Sequence, residues 1–125
     1  MIRAVLGSAI ALMLIAVGLA RTWSVQAAPG AMKMKQFTFL NVELEGSRIW
    51  LPGVVILKRG EEVSVKLVNK HKDQHGFAAD ELGVQAVVDG AATKELTIKP
   101  TRAGTFRLYC HLHPAHIGGQ IVVNP

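Results

Sequence analysis

From Lys33 to the C-terminus the chain breaks into short runs rich in β-branched and aromatic residues, with turn signals roughly every eight to twelve residues. That spacing predicts an all-β sandwich, of the Greek-key kind common among such domains. Strands are expected at Lys35 to Glu43, Ile49 to Leu51, Val54 to Lys58, Glu62 to Asn69, Gly76 to Ala79, Gln85 to Val88, Lys94 to Lys99, Gly104 to Tyr109 and Gln120 to Asn124. No stretch carries the periodicity of an amphipathic helix. Val63, Val65 and Leu67 fall on one face of their run and Glu62, Ser64 and Lys66 on the other, so one face is core. Phe106, Leu108 and Cys110 alternate with Thr105, Arg107 and Tyr109 in the same way. This directs Cys110 inward at the end of a strand, near one pole of the sandwich. Trp50 is expected in the core.

The N-terminus has a different pattern. Met1, Ile2 and Arg3 precede an apolar run from Ala4 to Ala20, and Val25-Gln26-Ala27 offers small residues around a cleavage point. Residues 1–27 are therefore read as an export signal, leaving residues 28–125 as one domain. The run is also nearly long enough to remain as an uncleaved membrane anchor. Either fate places the domain outside the cytosol, in a periplasmic or other extracytoplasmic space. At 125 residues, 50% hydrophobic and 18% charged, the chain has room for a single small domain. Its formal charge of +5 includes Arg3 and Arg21, which flank the apolar run; the rest carries 12 Lys and Arg against 9 Asp and Glu. The cations are scattered, which argues against a nucleic-acid groove. The membrane is approached only through the N-terminal segment.

Export makes the single cysteine informative, because a lone thiol in an oxidising compartment has no disulfide partner within its own chain. A buried apolar cysteine, an intermolecular pair and a metal ligand are the choices. The neighbours of Cys110 favour the last. In Tyr109-Cys110-His111-Leu112-His113-Pro114-Ala115-His116, three of the five histidines of the chain follow the cysteine, on a segment stiffened by Pro114. A thiolate with imidazoles converging from a loop is the recurring protein site for copper that cycles between Cu(I) and Cu(II). His75, in Lys72-Asp73-Gln74-His75-Gly76-Phe77, follows a strand end and completes a metal set of His75, Cys110, His113 and His116. His111 should point away from Cys110 on an extended segment, as a surface residue or as support behind the ligands. His71, between Lys70 and Lys72, is expected in solvent.

With these residues in view, the region from about Pro52 to Val123 resembles the cupredoxin family of small copper proteins. The resemblance rests on Val55-Ile56-Leu57-Lys58-Arg59-Gly60-Glu61, Val68-Asn69 before a loop histidine, Ala103-Gly104-Thr105-Phe106 leading to Cys110, and Gly119-Gln120-Ile121-Val122-Val123. It implies one mononuclear copper per chain. Blue proteins of the amicyanin type place Cys, His and Met at the spacing held here by Cys110, His113 and His116. The four methionines of this chain stand at positions 1, 13, 32 and 34, before the domain core. The chain is more similar to the nitrosocyanin-like red copper proteins, in Gly76-Phe77, in Leu82-Gly83-Val84-Gln85 and in Cys-x-Leu-His-Pro. That group supplies a glutamate where this chain has His75, and its second loop histidine corresponds to His116 after a two-residue deletion. The resemblance thus implies one Cys and three His, a lowered potential and a red or green protein.

The expected function is a one-electron carrier whose redox partner docks at the His113 pole. Nothing in the sequence supplies a general base or an oxyanion device, so it is not read as an enzyme. The competing readings are a nitrosocyanin-like redox catalyst with an open copper position and an exported copper- or zinc-handling protein. A homo-oligomer is compatible with the sequence.

Overall fold

The computed structural model describes residues 34–125. The expected signal or anchor at residues 1–27, and the domain boundary at 28, lie outside these residues. Among the described residues there are nine strands: β1 (Lys35–Leu44), β2 (Ser47–Leu51), β3 (Val54–Lys58), β4 (Val63–Asn69), β5 (His75–Ala79), β6 (Val84–Val88), β7 (Thr93–Ile98), β8 (Gly104–Leu108) and β9 (Gly119–Asn124). A single 3-10 turn, Asp80–Leu82, joins β5 to β6 and closes on Gly83 in the left-handed region at φ 67°. The sequence pattern does not announce that turn, which is too short to carry a period. No helix of the described residues is long and apolar enough to cross a membrane.

One sheet has the order β2-β1-β4-β7 and a second the order β3-β9-β8, while β5 and β6 form a hairpin. The hairpin continues the second sheet: Ala78 N–H donates to the Tyr109 carbonyl at 2.9 Å and Tyr109 N–H returns the bond at 3.0 Å. β1 runs parallel to β4, and β3 runs parallel to β9. β1 therefore lies within its own sandwich, between β2 and β4.

The alternation read from the sequence sorts the side chains. Val63, Val65 and Leu67 are buried on β4, and Phe106 and Leu108 on β8, with Cys110 just beyond. The two sheets enclose these residues with Val55, Leu57, Ile121 and Val123. Toward one pole the core becomes aromatic: Phe39 and Trp50 each meet Phe77 edge to face, with ring centroids at 5.0 and 5.6 Å. Trp50 is core, as expected.

The inward face of the first sheet ends at that pole in a polar row. Asn41 lies opposite Trp50 on one side and Asn69 on the other, one step beyond the Phe39–Leu67 pair. Both asparagines are buried. This row turns the end of a hydrocarbon core into a place where loops can be fastened.

Candidate metal centre

Cys110 leaves β8 pointing inward, and the segment after it turns back toward β9. His113 N–H donates to the Cys110 carbonyl at 3.3 Å, and His116 N–H to the His113 carbonyl at 3.0 Å. These turns bring both imidazoles back over the sulfur. Ile117 N–H then donates to the Arg48 carbonyl at 2.9 Å, tying the segment to β2.

The fourth residue arrives from the other side. His75 is the first residue of β5, paired with Val88 of β6, and is 2% exposed. The loop before it is interlocked with the turn between β6 and β7. Asn69 Nδ2 lies 2.7 Å from the Asp73 carbonyl, 3.0 Å from that of Asp89 and 3.3 Å from that of Val88, while Asn69 Oδ1 accepts from His71 N–H. Ala91 N–H donates to the His71 carbonyl at 2.6 Å, and Gln74 Nε2 donates to Asp89 Oδ1. Gly90 is required here because a Cβ at that position would run into the Lys72 carbonyl.

One donor atom from each of His75, Cys110, His113 and His116 lies within 4.8 Å of all the others. The three imidazoles crowd together, with centroids 5.1 Å apart for His75 and His113, 5.0 Å for His75 and His116, and 4.6 Å for His113 and His116. Cys110 Sγ stands 3.4 Å from His113 Nδ1 and accepts the Gly76 N–H at 3.2 Å. Three imidazoles and a cysteine sulfur gathered this closely form a donor set that a metal ion satisfies and that few other groups could.

The electrostatics agree with this. Burial, reinforced by the neighbouring His116, His113, His71 and Arg48, pushes His75 down from 6.5 to about 4. Burial, then His113, Arg48 and His71, also holds His116 below its usual value. Both rings are therefore favoured in the neutral form that coordinates a cation. Among the described residues, both ring nitrogens of His75 and the Nδ1 of His116 are buried without a hydrogen-bond partner. A site that keeps its imidazoles neutral and unpartnered is fitted for a metal.

Around the four donors the structure gives further residues specific contacts that the sequence does not show. Trp50 Nε1 donates to the Gly76 carbonyl at 2.7 Å, so the peptide that touches the sulfur on one side is held from the other. His111 is half-buried and packs against Gly76, where an added Cβ would come within 2.5 Å of its Nδ1. It is not among the converging donors, and its buried Nδ1 shows that it is packing rather than a solvated side chain. His71, expected in solvent, instead lies edge to face against His75 at 5.4 Å with its Nε2 buried. Its charged neighbours in sequence suggested exposure, but the bond from Ala91 and the Asn69 amide hold its backbone against the pole. The available signal was the asparagines, polar residues on the apolar side of β1 and β4. Tyr109 secures the entry to the centre: its hydroxyl donates to Asp80 Oδ2 at 2.6 Å, which raises the phenol above its ordinary value.

The chain matches the Cupredoxin-like domain family over residues 11–123. Comparison with curated proteins by sequence found no match. The fold is similar to the metal-binding domain of the Cu(I)-exporting P-type ATPase CopA of Streptococcus pneumoniae D39, with TM-score 0.61 and 13% identity over 78% of this chain and 93% of that one. It is similar to copper nitrite reductase from Nitrosomonas europaea, with TM-score 0.61 and 24% identity, covering 74% of this chain and 42% of that one. Auracyanin A, a "blue" copper protein from Chloroflexus aurantiacus, aligns with TM-score 0.56 and 15% identity over 71% of this chain and 98% of that one. At these identities the neighbours speak for the fold. With the family pattern spanning most of the chain and a sandwich whose polar pole gathers a cysteine and three histidines, the protein belongs to the cupredoxin-like domain family.

Proposed function

We propose that the protein is an exported one-electron carrier that holds copper through His75, Cys110, His113 and His116. The observation that carries this reading is the convergence of those four donors on a point at the pole of a rigid sandwich. Bound there, copper supplies a couple between Cu(I) and Cu(II). The chain's own residues do the rest. Two strands deliver His75 and Cys110 to fixed positions, the Cys110–Ile117 segment folds His113 and His116 over them, and the Gly76 N–H steadies the sulfur. Burial of the cysteine and of His75 keeps water from the thiolate.

His116, an imidazole where the blue proteins place a thioether, would offer copper a stronger donor, favouring Cu(II), a lowered potential and the red or green colour of the nitrosocyanin-like class. His113 and His116 are partly exposed within a rim of Leu112, Pro114, Ala115 and Ile117. That rim suits a redox partner that brings its own centre close to His113. The extracytoplasmic location rests on the apolar run at residues 4–20 and on the solitary cysteine.

The test is to titrate the full chain with Cu(II) and record optical and electron paramagnetic resonance spectra of wild type, Cys110→Ser and His116→Ala. The expected result is a thiolate-to-copper charge-transfer band that vanishes in Cys110→Ser and shifts in His116→Ala. Absence of such a band from wild type sinks the copper reading and leaves zinc or a structural role. A strong blue band unchanged in His116→Ala removes only His116 from the donor set. Metal handling differs from electron transfer in a readable way: a carrier cycles reversibly at an electrode and retains its ion, whereas a handling protein surrenders Cu(I) to a competing thiol ligand. A change in the spectrum on adding azide would instead reveal an open position and favour catalysis.

A further inference from the structure

A histidine that binds a metal through one ring nitrogen usually donates the N–H of the other to an acceptor, which sets the tautomer and the ring plane. Among the described residues His75 has neither nitrogen paired, so one of them awaits a protein partner even after a metal takes the other. Among the described residues one buried amide has both its acceptor and its donor unused. Asn41 is 1% exposed, and neither its Oδ1 nor its Nδ2 has a partner. An unpaired buried amide gives up its hydrogen bonds to water with nothing in return, which makes it a costly filler for a core position.

The register gives Asn41 its neighbours within the sheet. It is the middle member of the row Trp50, Asn41, Asn69 on the inner side of the first sheet. Its neighbours in the row both reach across to one short segment: Trp50 Nε1 to the Gly76 carbonyl at 2.7 Å, and Asn69 Nδ2 to the Asp73 carbonyl at 2.7 Å. Asn69 also approaches the carbonyl of Val88, the strand partner of His75. The residues between Asp73 and Gly76 are Gln74 and His75. Gln74 is exposed and bonded to Asp89, so His75 is the buried residue of that segment. The main-chain carbonyl of Asn41 is already used, accepting Lys70 N–H at 3.3 Å, which leaves the side chain to act.

We propose that Asn41 is a positioning residue for His75, its side-chain carbonyl accepting the ring N–H that does not face the metal. This rests on the reading of His75 as a ligand. The other candidate is His71 Nε2, also buried and unpaired beside the same ring. The Asn41 Oδ1 can accept the N–H that a ligating imidazole must carry on its free nitrogen, and so can the His71 ring if its facing nitrogen is unprotonated.

The experiment loads the full chain, with nitrogen-15 in its histidines, with Cu(I) alone, and follows the ring N–H of His75 by nuclear magnetic resonance. Wild type should show one ring N–H protected from exchange with water. Asn41→Leu should lose that signal to exchange and bind copper about 10- to 100-fold more weakly. Asn41→Asp, which keeps an acceptor, and His71→Ala should both retain it. Asn41→Ser, too short to reach, gives the same loss and replaces the leucine variant if that variant does not fold. A protected N–H that survives in Asn41→Leu or Asn41→Ser overturns the proposal, as does its loss in His71→Ala. Failure of wild type to take up copper defeats the ligand reading instead, and the two failures cannot be confused.

Discussion

His75 shows how much one side chain is asked to do. In the apoprotein its folded value is about 4 against 6.5 for the free imidazole, so the unfolded chain takes up the proton first as the pH falls. The stability that His75 contributes is whole above about 6.5 and is lost between there and about 4. The urea midpoint of apoprotein should decline across that window, and more shallowly in His75→Gln; parallel curves would show that other groups control the acid limb. Gly76 is under as tight a constraint. Its N–H meets the sulfur, its carbonyl meets Trp50, and His111 occupies the space of a side chain. Gly76→Ala should fold with a displaced His111 and an altered charge-transfer band, because hydrogen bonding at the cysteine tunes the metal–sulfur bond. An unaltered band would mean that the peptide can shift without disturbing the sulfur. The sequence names His75 as a metal donor and Gly76 as a strand start, but the burial that depresses the one and the contacts that crowd the other belong to the folded chain.

At the scale of elements, the centre depends on two loops locked to each other. Asn69 ties the segment before β5 to the turn after β6, and Gly90 permits the close approach of that turn to Lys72. Asn69→Leu removes partners from several carbonyls at once and should cost about 1–3 kcal/mol for each group left buried and unpaired. Thermal unfolding of apoprotein measures it, and a loss well below 1 kcal/mol would mean that water replaces the amide. The strands themselves were legible. Val54–Lys58 was expected and found with the same bounds, and most other ends agree within a residue or two, because period-two alternation over a half-buried sheet is a local signal. β2 was read short, since Ser47 and Arg48 lack the apolar character that marks a strand. The pairing that holds them comes from β1, through Leu44 and Glu43. The inward turn of Cys110 was equally legible, by counting from Phe106.

On the scale of the whole molecule, the sandwich presents its donors at one end and an apolar rim around them. Leu112 and Ile117 are 40% and 44% exposed beside partly covered His113 and His116. A charge placed in that rim should hinder a docking partner while leaving the donors alone. Ala115→Glu is therefore expected to keep its copper and its spectrum but slow electron exchange with a competent partner. Exchange at the wild-type rate would move the docking surface elsewhere. The sequence by itself determined the fold class, the strand order along the chain and the identity of the four candidate donors. Each of these depends on residue type and on spacing between near neighbours. Tertiary structure alone decided that His75 meets Cys110 across 34 intervening positions, that His71 belongs to the pole, and that Trp50, Asn41 and Asn69 stand in one row. Those are facts of sheet register and loop docking, fixed by the packing of segments distant in sequence, where local periodicity is silent.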